Sequence, residues 1–225
     1  MLGNIINALV IFLGGIIGIL FKKRFSPRIN EIMMQALGLA TFVYGISEGI
    51  KMKNPLVIFI SLGIGAIIGE VINIEEKLES VGNFFQEKMH NSGNIAQGFV
   101  SSSLVFCIGA MAIMGALQSG LEGKHDILIA KSFLDGTMSM IFAATMGVGV
   151  ILSAISVFVY QGVIVLLSGA LKPLLTSGVI NEMTSVGGIL ICGIGINLLG
   201  FAKLKVGNLL PALFIPIFIS FIFSL

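Results

Sequence analysis

Long apolar stretches that hold no acidic or basic residue alternate with short polar segments along almost the whole chain. Placing a charge at the centre of a bilayer costs about 2.5 kcal/mol or more, and about 20 helical residues cross the apolar core. Uncharged stretches of this length therefore predict membrane-spanning helices. They cover residues 1–21, 32–47, 54–69, 89–121, 136–171, 183–202 and 206–225.

The pattern predicts an all-α integral membrane protein with about eight spans in a single polytopic domain, residues 1–225. The stretch 136–171 is too long for one crossing, so it predicts two helices that turn near Ser153–Ser156. The predicted spans are residues 3–21, 32–50, 55–73, 97–118, 131–152, 156–172, 184–202 and 206–224.

Residues 74–90 form the one sizeable stretch that the pattern places outside the membrane. Apolar residues from Ile74 to Met89 recur there at helical spacing, with glutamates on the other faces. This pattern predicts an amphipathic helix at the cytoplasmic interface. We interpret it as a linker between two halves of the chain, and a dimerisation helix fits the same pattern.

Basic residues indicate the orientation of the first span. Lys22, Lys23, Arg24 and Arg28 follow this span, whereas a signal peptide carries its charges in front of the apolar stretch. The first span is therefore not expected to be a signal peptide. By the positive-inside rule the basic cluster is cytoplasmic, which predicts that the N-terminus lies outside.

Composition excludes several classes of protein. Only 11% of the 225 residues are charged and 56% are hydrophobic, whereas about 25% are charged in an ordinary soluble domain. These values exclude a soluble enzyme, a disordered chain and a nucleic-acid binder, and the net charge of +2 is too small to imply a polyanionic partner. Cys107 and Cys192 have no partners at metal-ligand spacing, so we expect no disulfide, metal site or cofactor.

Glycine is abundant, with 29 residues, and it clusters inside the predicted spans. Small residues let helix backbones approach closely in a membrane, which explains most of these positions as tight packing. In the segments 109–115 and 147–150, an unwound helix that exposes its backbone to a ligand fits equally well. The similarity between residues 13–18 and 64–69 also leaves an internal repeat open.

Uncharged polar side chains reach deep into the predicted spans, and their concentration between residues 101 and 161 predicts a polar cavity in the C-terminal half. Lys131 and Asp135 are four residues apart on one helical face and can pair. An interfacial ion pair fits this spacing, and so does a pair that contacts an ion or substrate at a pore mouth. The candidate binding residues are Ser103, Cys107, Gly109, Lys131, Asp135, Thr145, Gln161 and Asn197, with Glu70 as a candidate cation site or gate.

A series of short motifs extends over essentially the whole chain. It includes Gly3-Asn4, Gly69-Glu70, Phe106-Cys107, Leu134-Asp135-Gly136, Tyr160-Gln161-Gly162 and Asn208-Leu209-Leu210-Pro211-Ala212. In this combination the chain resembles the YqgA/YdfK-like family of bacterial integral membrane proteins, the "domain of unknown function 554" family. The resemblance implies a bacterial inner-membrane location and supplies no substrate. The family's recurrent residues match Ser103, Cys107, Lys131, Asp135, Gln161 and Asn197 of this chain.

These observations favour a multi-pass transporter or channel for a small solute or ion. Transport is expected to be secondary or passive, because no nucleotide-binding motif is present. Ser103 and Cys107 would line the site, and Asp135 would couple a cation or guard one mouth. The alternative is a non-transporting membrane scaffold or regulatory protein that acts through the 74–90 helix.

We do not expect an enzyme. An intramembrane hydrolase needs a base beside its nucleophile, yet His90 and His125 lie in polar connections away from Ser103 and Cys107. The expected partners are the lipid bilayer and an unknown small solute or ion, without nucleic acid. A homodimer stays open.

Overall fold

The computed structural model describes residues 1–22, 26–77, 80 and 95–221, and its elements are helices. The predicted all-α fold is therefore confirmed for this part of the chain. In chain order the elements are α1 Leu2–Lys22, α2 Pro27–Gly49, α3 Pro55–Ile72, α4 Ile95–Cys107, α5 Ala110–Leu121, α6 Asp126–Met146, α7 Gly149–Leu166, the single turn α8 Ser168–Leu171, α9 Ser177–Leu198, a 3₁₀ helix Val206–Leu213 and α10 Ile215–Ile219.

Six of these helices, α1, α2, α3, α6, α7 and α9, are long and apolar enough to cross a membrane. Helices α4 and α5 meet the same criterion together but bend by 63° at the break between them, so the count becomes seven if the pair is one span. The last apolar segment, Val206–Ile219, is shorter, and Pro211 lies inside its 3₁₀ helix. Within the described residues the predicted count of eight is therefore not confirmed.

Two predicted boundaries are wrong because local glycine geometry decides them. The turn between α6 and α7 lies at Gly147-Val148 and not near Ser153–Ser156. Gly147 has a φ of 89°, a left-handed conformation that glycine adopts without a steric penalty. Ser153 continues α7, and its hydroxyl donates to the carbonyl of Val150 at 2.6 Å. The span predicted at 97–118 is likewise two helices, which separate at Gly109.

The segment after α3 starts a new element. Asn73 has a φ of 55°, and this left-handed residue ends α3 at Ile72. Residues 74–77 are helical again, and the Ser80 hydroxyl donates to the Glu76 carbonyl at 2.8 Å. The remainder of the helix predicted at 74–90, residues 78–79 and 81–90, lies outside the described residues.

Helices α1 and α6 lie side by side and run in the same direction. A Cβ atom added to Gly3 would lie 3.0 Å from the Cβ atom of Leu128, and one added to Gly18 would lie 2.2 Å from the carbonyl oxygen of Met140. Both starting turns therefore meet at one end of the bundle, which we call the upper end. Lys22 and Gly147 meet at the opposite, lower end.

Two further pairs of elements are antiparallel. A Cβ atom on Gly188 of α9 would lie 2.3 Å from the amide nitrogen of Gly49, at the end of α2. A Cβ atom on Gly69 of α3 would lie 1.8 Å from the carbonyl oxygen of Asn208, in the 3₁₀ helix. These backbones approach so closely that only glycine fits at either contact.

Apolar side chains occupy both the interior and much of the surface. Phe106 and Phe142 stack in the core with ring centroids 5.9 Å apart, and both side chains are fully buried. Large apolar side chains also project outward, including Phe59 and Val71, which are 74% and 81% exposed. Apolar surface of this extent is unsuited to water and suited to lipid. The chain is therefore a multi-pass membrane protein.

Candidate binding cavity and buried polar cluster

The break between α4 and α5 leaves a helix start inside the bundle. The Ile108 amide still donates to the Leu104 carbonyl at 2.9 Å, which closes α4. Gly109 then turns the chain with a φ of 126°, and the Ala112 amide donates to the Gly109 carbonyl at 3.1 Å to start α5. The residue at the cap position is Gly109 itself, which has no side chain to cap this start. Sequence reasoning left packing and unwinding open for Gly109, and the structure shows an interruption there.

A cavity of about 270 Å³ lies against this break, and we call it the central cavity. It is built from α4, α5, α7, α9 and the segment Val206–Ile219. Of the residues predicted to bind a ligand, Ser103, Cys107 and Gly109 line it. The other lining residues are Phe99, Val100, Leu104, Ile108, Ile113, Ser156, Tyr160, Met183, Thr184, Leu210, Leu213 and Phe214.

A polar cavity was expected in this half of the chain. The lining of the central cavity is instead mainly apolar. The reason is that several hydroxyl groups between residues 101 and 161 bond to their own helix. Ser102 donates to the Gly98 carbonyl at 2.6 Å, and Thr145 donates to the Phe142 carbonyl at 2.9 Å. Polar residues in a span therefore do not by themselves give the cavity a polar lining.

A few of the residues that line the cavity nevertheless carry polar groups. Ser103 donates to the Ser156 hydroxyl at 3.1 Å, which joins α4 to α7. Thr184 lies opposite on α9, is 2% exposed, and its hydroxyl is buried without a hydrogen-bond partner among the described residues. Tyr160 also lines the cavity. Thr184 and Tyr160 were missed as site residues, and no local signal in the sequence distinguishes Thr184 from other threonines in spans.

Next to the cavity lies a buried group of four polar residues, Asn7, Lys131, Asp135 and Gln161, which we call the Asp135 cluster. Lys131 donates to Oδ2 of Asp135, and Asn7 Nδ2 donates to the same oxygen at 3.1 Å and to Gln161 Oε1 at 3.4 Å. The cluster joins α1, α6 and α7. It brings together Lys131, Asp135 and Gln161 as predicted, and adds Asn7, which was not predicted as a site residue.

The charges of the cluster are almost completely removed from solvent. The side chains of Lys131 and Asp135 are 7% and 6% exposed, and Asn7 and Gln161 are fully buried. A buried ion pair gains little net stability, because desolvation offsets the attraction between its members. Two polar atoms, Oδ1 of Asn7 and Nε2 of Gln161, have no hydrogen-bond partner among the described residues. The cluster therefore has capacity for a further polar contact.

The cluster and the cavity are immediate neighbours. Tyr160 lines the cavity and Gln161, the next residue of α7, belongs to the cluster. Cys107 of the cavity wall also lies within electrostatic range of Lys131 and Asp135. A change in the charge of the Asp135 cluster would therefore change the electrostatic potential in the central cavity.

Three predicted residues are not brought to this site. The hydroxyl of Thr145 donates to a carbonyl of its own helix, as described above. Asn197 lies at the lower end, where its amide group donates to the Leu204 carbonyl and accepts from the Leu204 amide, each at 2.8 Å. Its structural role is to fasten the loop that follows α9.

Glu70, the candidate gate, is an exposed residue at the lower end. It forms an ion pair with Lys205 at 2.8 Å and accepts a hydrogen bond from Asn208 Nδ2 at 2.6 Å. The hydrogen bond to Glu70 raises the pKa of Lys205 above its ordinary value. Glu70 therefore ties α3 to the last segment of the chain, away from the central cavity.

Glu182 is a buried carboxylate that sequence reasoning did not assign to a site. Its Oε1 accepts hydrogen bonds from the backbone amides of Lys53 and Asn54, each at 3.0 Å, and so holds the start of α3 against α9. Within the described ranges, no group of three or more His, Cys, Asp or Glu side chains is arranged to hold a metal ion.

The sequence is similar to a family of unknown function and to two bacterial proteins. The family described as "Protein of unknown function (DUF554)" matches residues 2–221. The chain is 36% identical to "Uncharacterized membrane protein YdfK" of Bacillus subtilis (strain 168), over 99% of this chain and 96% of the relative. It is 31% identical to "Uncharacterized protein YqgA" of Escherichia coli (strain K12), over 97% of this chain and 96% of the relative. No solved structure matches it.

Proposed function

We propose that this chain, which belongs to the DUF554 family, is a secondary or passive transporter or channel for a small solute or ion. Its site is the central cavity, and it acts without catalysis and without a cofactor. We further propose that it resides in the bacterial inner membrane with its N-terminus outside, since Lys22, Lys203 and Lys205 are all at the lower end of the bundle.

The observation that carries this proposal is the interrupted helix against a cavity. A helix broken in the middle of a span exposes backbone groups that are otherwise bonded, which is unfavourable in lipid and is tolerated where the break lines a cavity. Discontinuous helices of this kind form the substrate sites of many secondary transporters. Gly109 at the break lines the central cavity, so the interruption and the ligand space coincide.

The Asp135 cluster supplies a second element that transport would use. It lies beside the central cavity in the upper half of the bundle, because Asn7 belongs to the second turn of α1 and Gln161 to the last part of α7. Ionisable groups buried in a membrane protein commonly mark ion or substrate pathways. In this proposal Asp135 and Lys131 guard the upper mouth of the cavity, and a cation that competes for the carboxylate would loosen their pairing.

The proposal predicts that the cavity can be reached from water. In the Cys192→Ser variant, Cys107 is the remaining thiol and lines the central cavity. A charged, membrane-impermeant methanethiosulfonate added to proteoliposomes of this variant is expected to modify Cys107. Intact-protein mass spectrometry would measure the modified fraction over time.

The Cys107→Ser variant is the matched control. It retains Cys192, which packs between α2 and α9 with its thiol directed to the Phe42 carbonyl at 3.6 Å, and we expect little modification there. If Cys107 stays unmodified from both sides of the membrane, while the denatured variant reacts fully, the transport proposal is wrong. That result would favour the scaffold alternative and direct attention to residues 74–90.

A further inference from the structure

We infer that the structure is the lower-facing state of an alternating-access carrier, in which the solute enters the central cavity from the lower end past Val100. This inference rests on the proposed function, since it assigns the entry route and the closure of the same site. Its evidence is a row of cavities that leads from the lower end to the central cavity, and a packed apolar layer between the central cavity and the upper end.

The first cavity of the row is polar and lies at the lower end, and we call it the vestibule. Its volume is about 770 Å³, and its wall carries charged and amide side chains, among them Glu76, Gln97, Asn197 and Lys203. Such a wall suits a water-filled space. Asn197, which was predicted to bind a ligand, therefore lies on the route to the central cavity although it does not line that cavity.

A smaller chamber of about 70 Å³ lies between the vestibule and the central cavity. Glu75, Gln97 and Asn197 line both the chamber and the vestibule, so these two spaces are adjacent. Val100 lines both the chamber and the central cavity, and within the described linings it is the one residue that these two spaces share. The partly buried side chain of Val100 therefore lies between them.

Helix α4 follows this route along its length. Gln97 lines the vestibule and the chamber, Val100 lines the chamber and the central cavity, and Ser103 and Cys107 line the central cavity. These four residues are spaced three or four apart, so they share one face of the helix. That face forms a wall of about 15 Å from the vestibule almost to the break at Gly109.

A packed layer of side chains separates the central cavity from the upper end, and we call it the apolar layer. None of its members is more than 7% exposed, and they are Ile113, Leu117, Leu175, Val179, Ile180 and Met183. Ile113 and Met183 also line the central cavity. Leu117 and Leu175 line a separate pocket of about 520 Å³ at the upper end. Among the described residues the linings of this pocket and of the central cavity have none in common.

The two ends of the central cavity are therefore closed to different extents. One partly buried side chain lies on the lower side, whereas a fully packed layer lies on the upper side. Ile113 and Leu117 are four residues apart, so the apolar layer is only about 6 Å thick along α5. A tilt of α5 about the break at Gly109 would separate it from α9 and open the upper side. Opening to one side at a time is how a carrier works.

The test compares the rates at which Cys107 is modified from the two faces of the membrane. The Cys192→Ser variant would be treated with the charged methanethiosulfonate in spheroplasts, which expose the outer face, and in inverted membrane vesicles, which expose the inner face. In a chain without native cysteines, Arg28→Cys marks the lower end and Lys124→Cys the upper end, since both positions are exposed. We expect Cys107 to react at least about tenfold faster from the face at which Arg28→Cys reacts. Equal rates, or a faster reaction from the other face, would overturn the inference.

The Val100→Ala variant tests the entry route. It removes two methyl groups between the chamber and the central cavity, so modification of Cys107 from the lower face is expected to become several-fold faster. The matched control is Val105→Ala on the same helix, because Val105 is 4% exposed and is not among the described residues of either lining. Equal acceleration by both substitutions would contradict the route.

The Leu117→Ala variant tests the apolar layer. It thins the layer, so modification of Cys107 from the upper face is expected to become several-fold faster while the rate from the lower face stays the same. The matched control is Leu121→Ala, since Leu121 lines the same upper pocket but is 41% exposed and lies outside the layer. No effect at Leu117, or the same effect at Leu121, would contradict the upper closure.

The two proposals fail in different ways. If Cys107 reacts at equal rates from both faces, the protein is an open pore, so the carrier inference is wrong and the transport proposal stands. If Cys107 cannot be reached from either face, the transport proposal itself is wrong.

Discussion

The Asp135→Asn variant is expected to unfold far more readily than the original protein. Asparagine has the shape of aspartate and can still accept a hydrogen bond from Asn7, but it leaves the Lys131 ammonium buried without an opposite charge. Removing one member of a buried ion pair costs about 3–5 kcal/mol. For a chain of this size, such a loss lowers the midpoint of thermal unfolding by roughly 6–20 °C. Thermal unfolding of the purified protein in detergent would measure the difference.

The controls distinguish the buried pair from ion pairs in general. Glu122→Gln removes the acidic member of the exposed pair with Lys124, which lies in water between α5 and α6, and no measurable change is expected. The double variant Lys131→Met, Asp135→Leu removes both buried charges and is expected to recover most of the lost stability. If Asp135→Asn and Glu122→Gln behave alike, the Asp135 cluster is not buried as described.

A second large effect is expected for Gly69→Ala. The new methyl group would lie 1.8 Å from the carbonyl oxygen of Asn208, which is backbone and can move only if the 3₁₀ helix moves with it. Overpacking of this kind costs about 1–3 kcal/mol, and more where the backbone must shift. The displaced segment also carries Leu210 and Leu213 of the central cavity. The midpoint of thermal unfolding in detergent would measure the change.

Gly63→Ala provides the matched control on the same helix. A Cβ atom at Gly63 would meet no atom within 4 Å, so the substitution adds a better helix former at no steric cost. It is expected to leave stability unchanged or raise it by up to about 1 kcal/mol. The two substitutions are chemically identical, so opposite signs would establish that the close approach of α3 to the 3₁₀ helix causes the difference. A loss of equal size at Gly63 would refute this explanation.

The fold class could be predicted because placing a charged side chain in the bilayer core has a high free-energy cost. Uncharged stretches alone locate α1 and α3 within three residues, whereas α9 begins six residues before its stretch because Glu182 lies inside the helix. The positions of helix ends inside an apolar stretch could not be predicted in the same way, since they depend on backbone conformation. Gly109 and Gly147 lie in the two segments for which unwinding stayed open, and both adopt positive φ angles, but the sequence could not decide there between unwinding and packing.

The candidate site was predictable only in part, for a related reason. Lys131 and Asp135 are four residues apart on one helix, so their pairing follows from helical geometry. Asn7 and Thr184 reach the site from elements far away in the chain, and only the packing of helices reveals them. Thr145 and Asn197 were predicted to bind a ligand, but neither lines the central cavity. Their polar groups are satisfied by nearby backbone, so a polar residue in a span need not face a ligand.

The parallel pairing of α1 with α6 has a consequence for how the protein is made. Between the end of α1 at Lys22 and the end of α6 at Met146, the ribosome must add more than half of the chain. At about 5–20 residues per second, this takes roughly 6–25 s. For most of that interval Asn4 and Asn7 lack the partners that α6 and α7 later provide, since Asp135 is made near its end and Phe158 and Gln161 only after it. Helix α1 enters the membrane well before α6 and α7 and is fully packed only once they are present, so a chain truncated before α6 leaves it permanently exposed to membrane quality control.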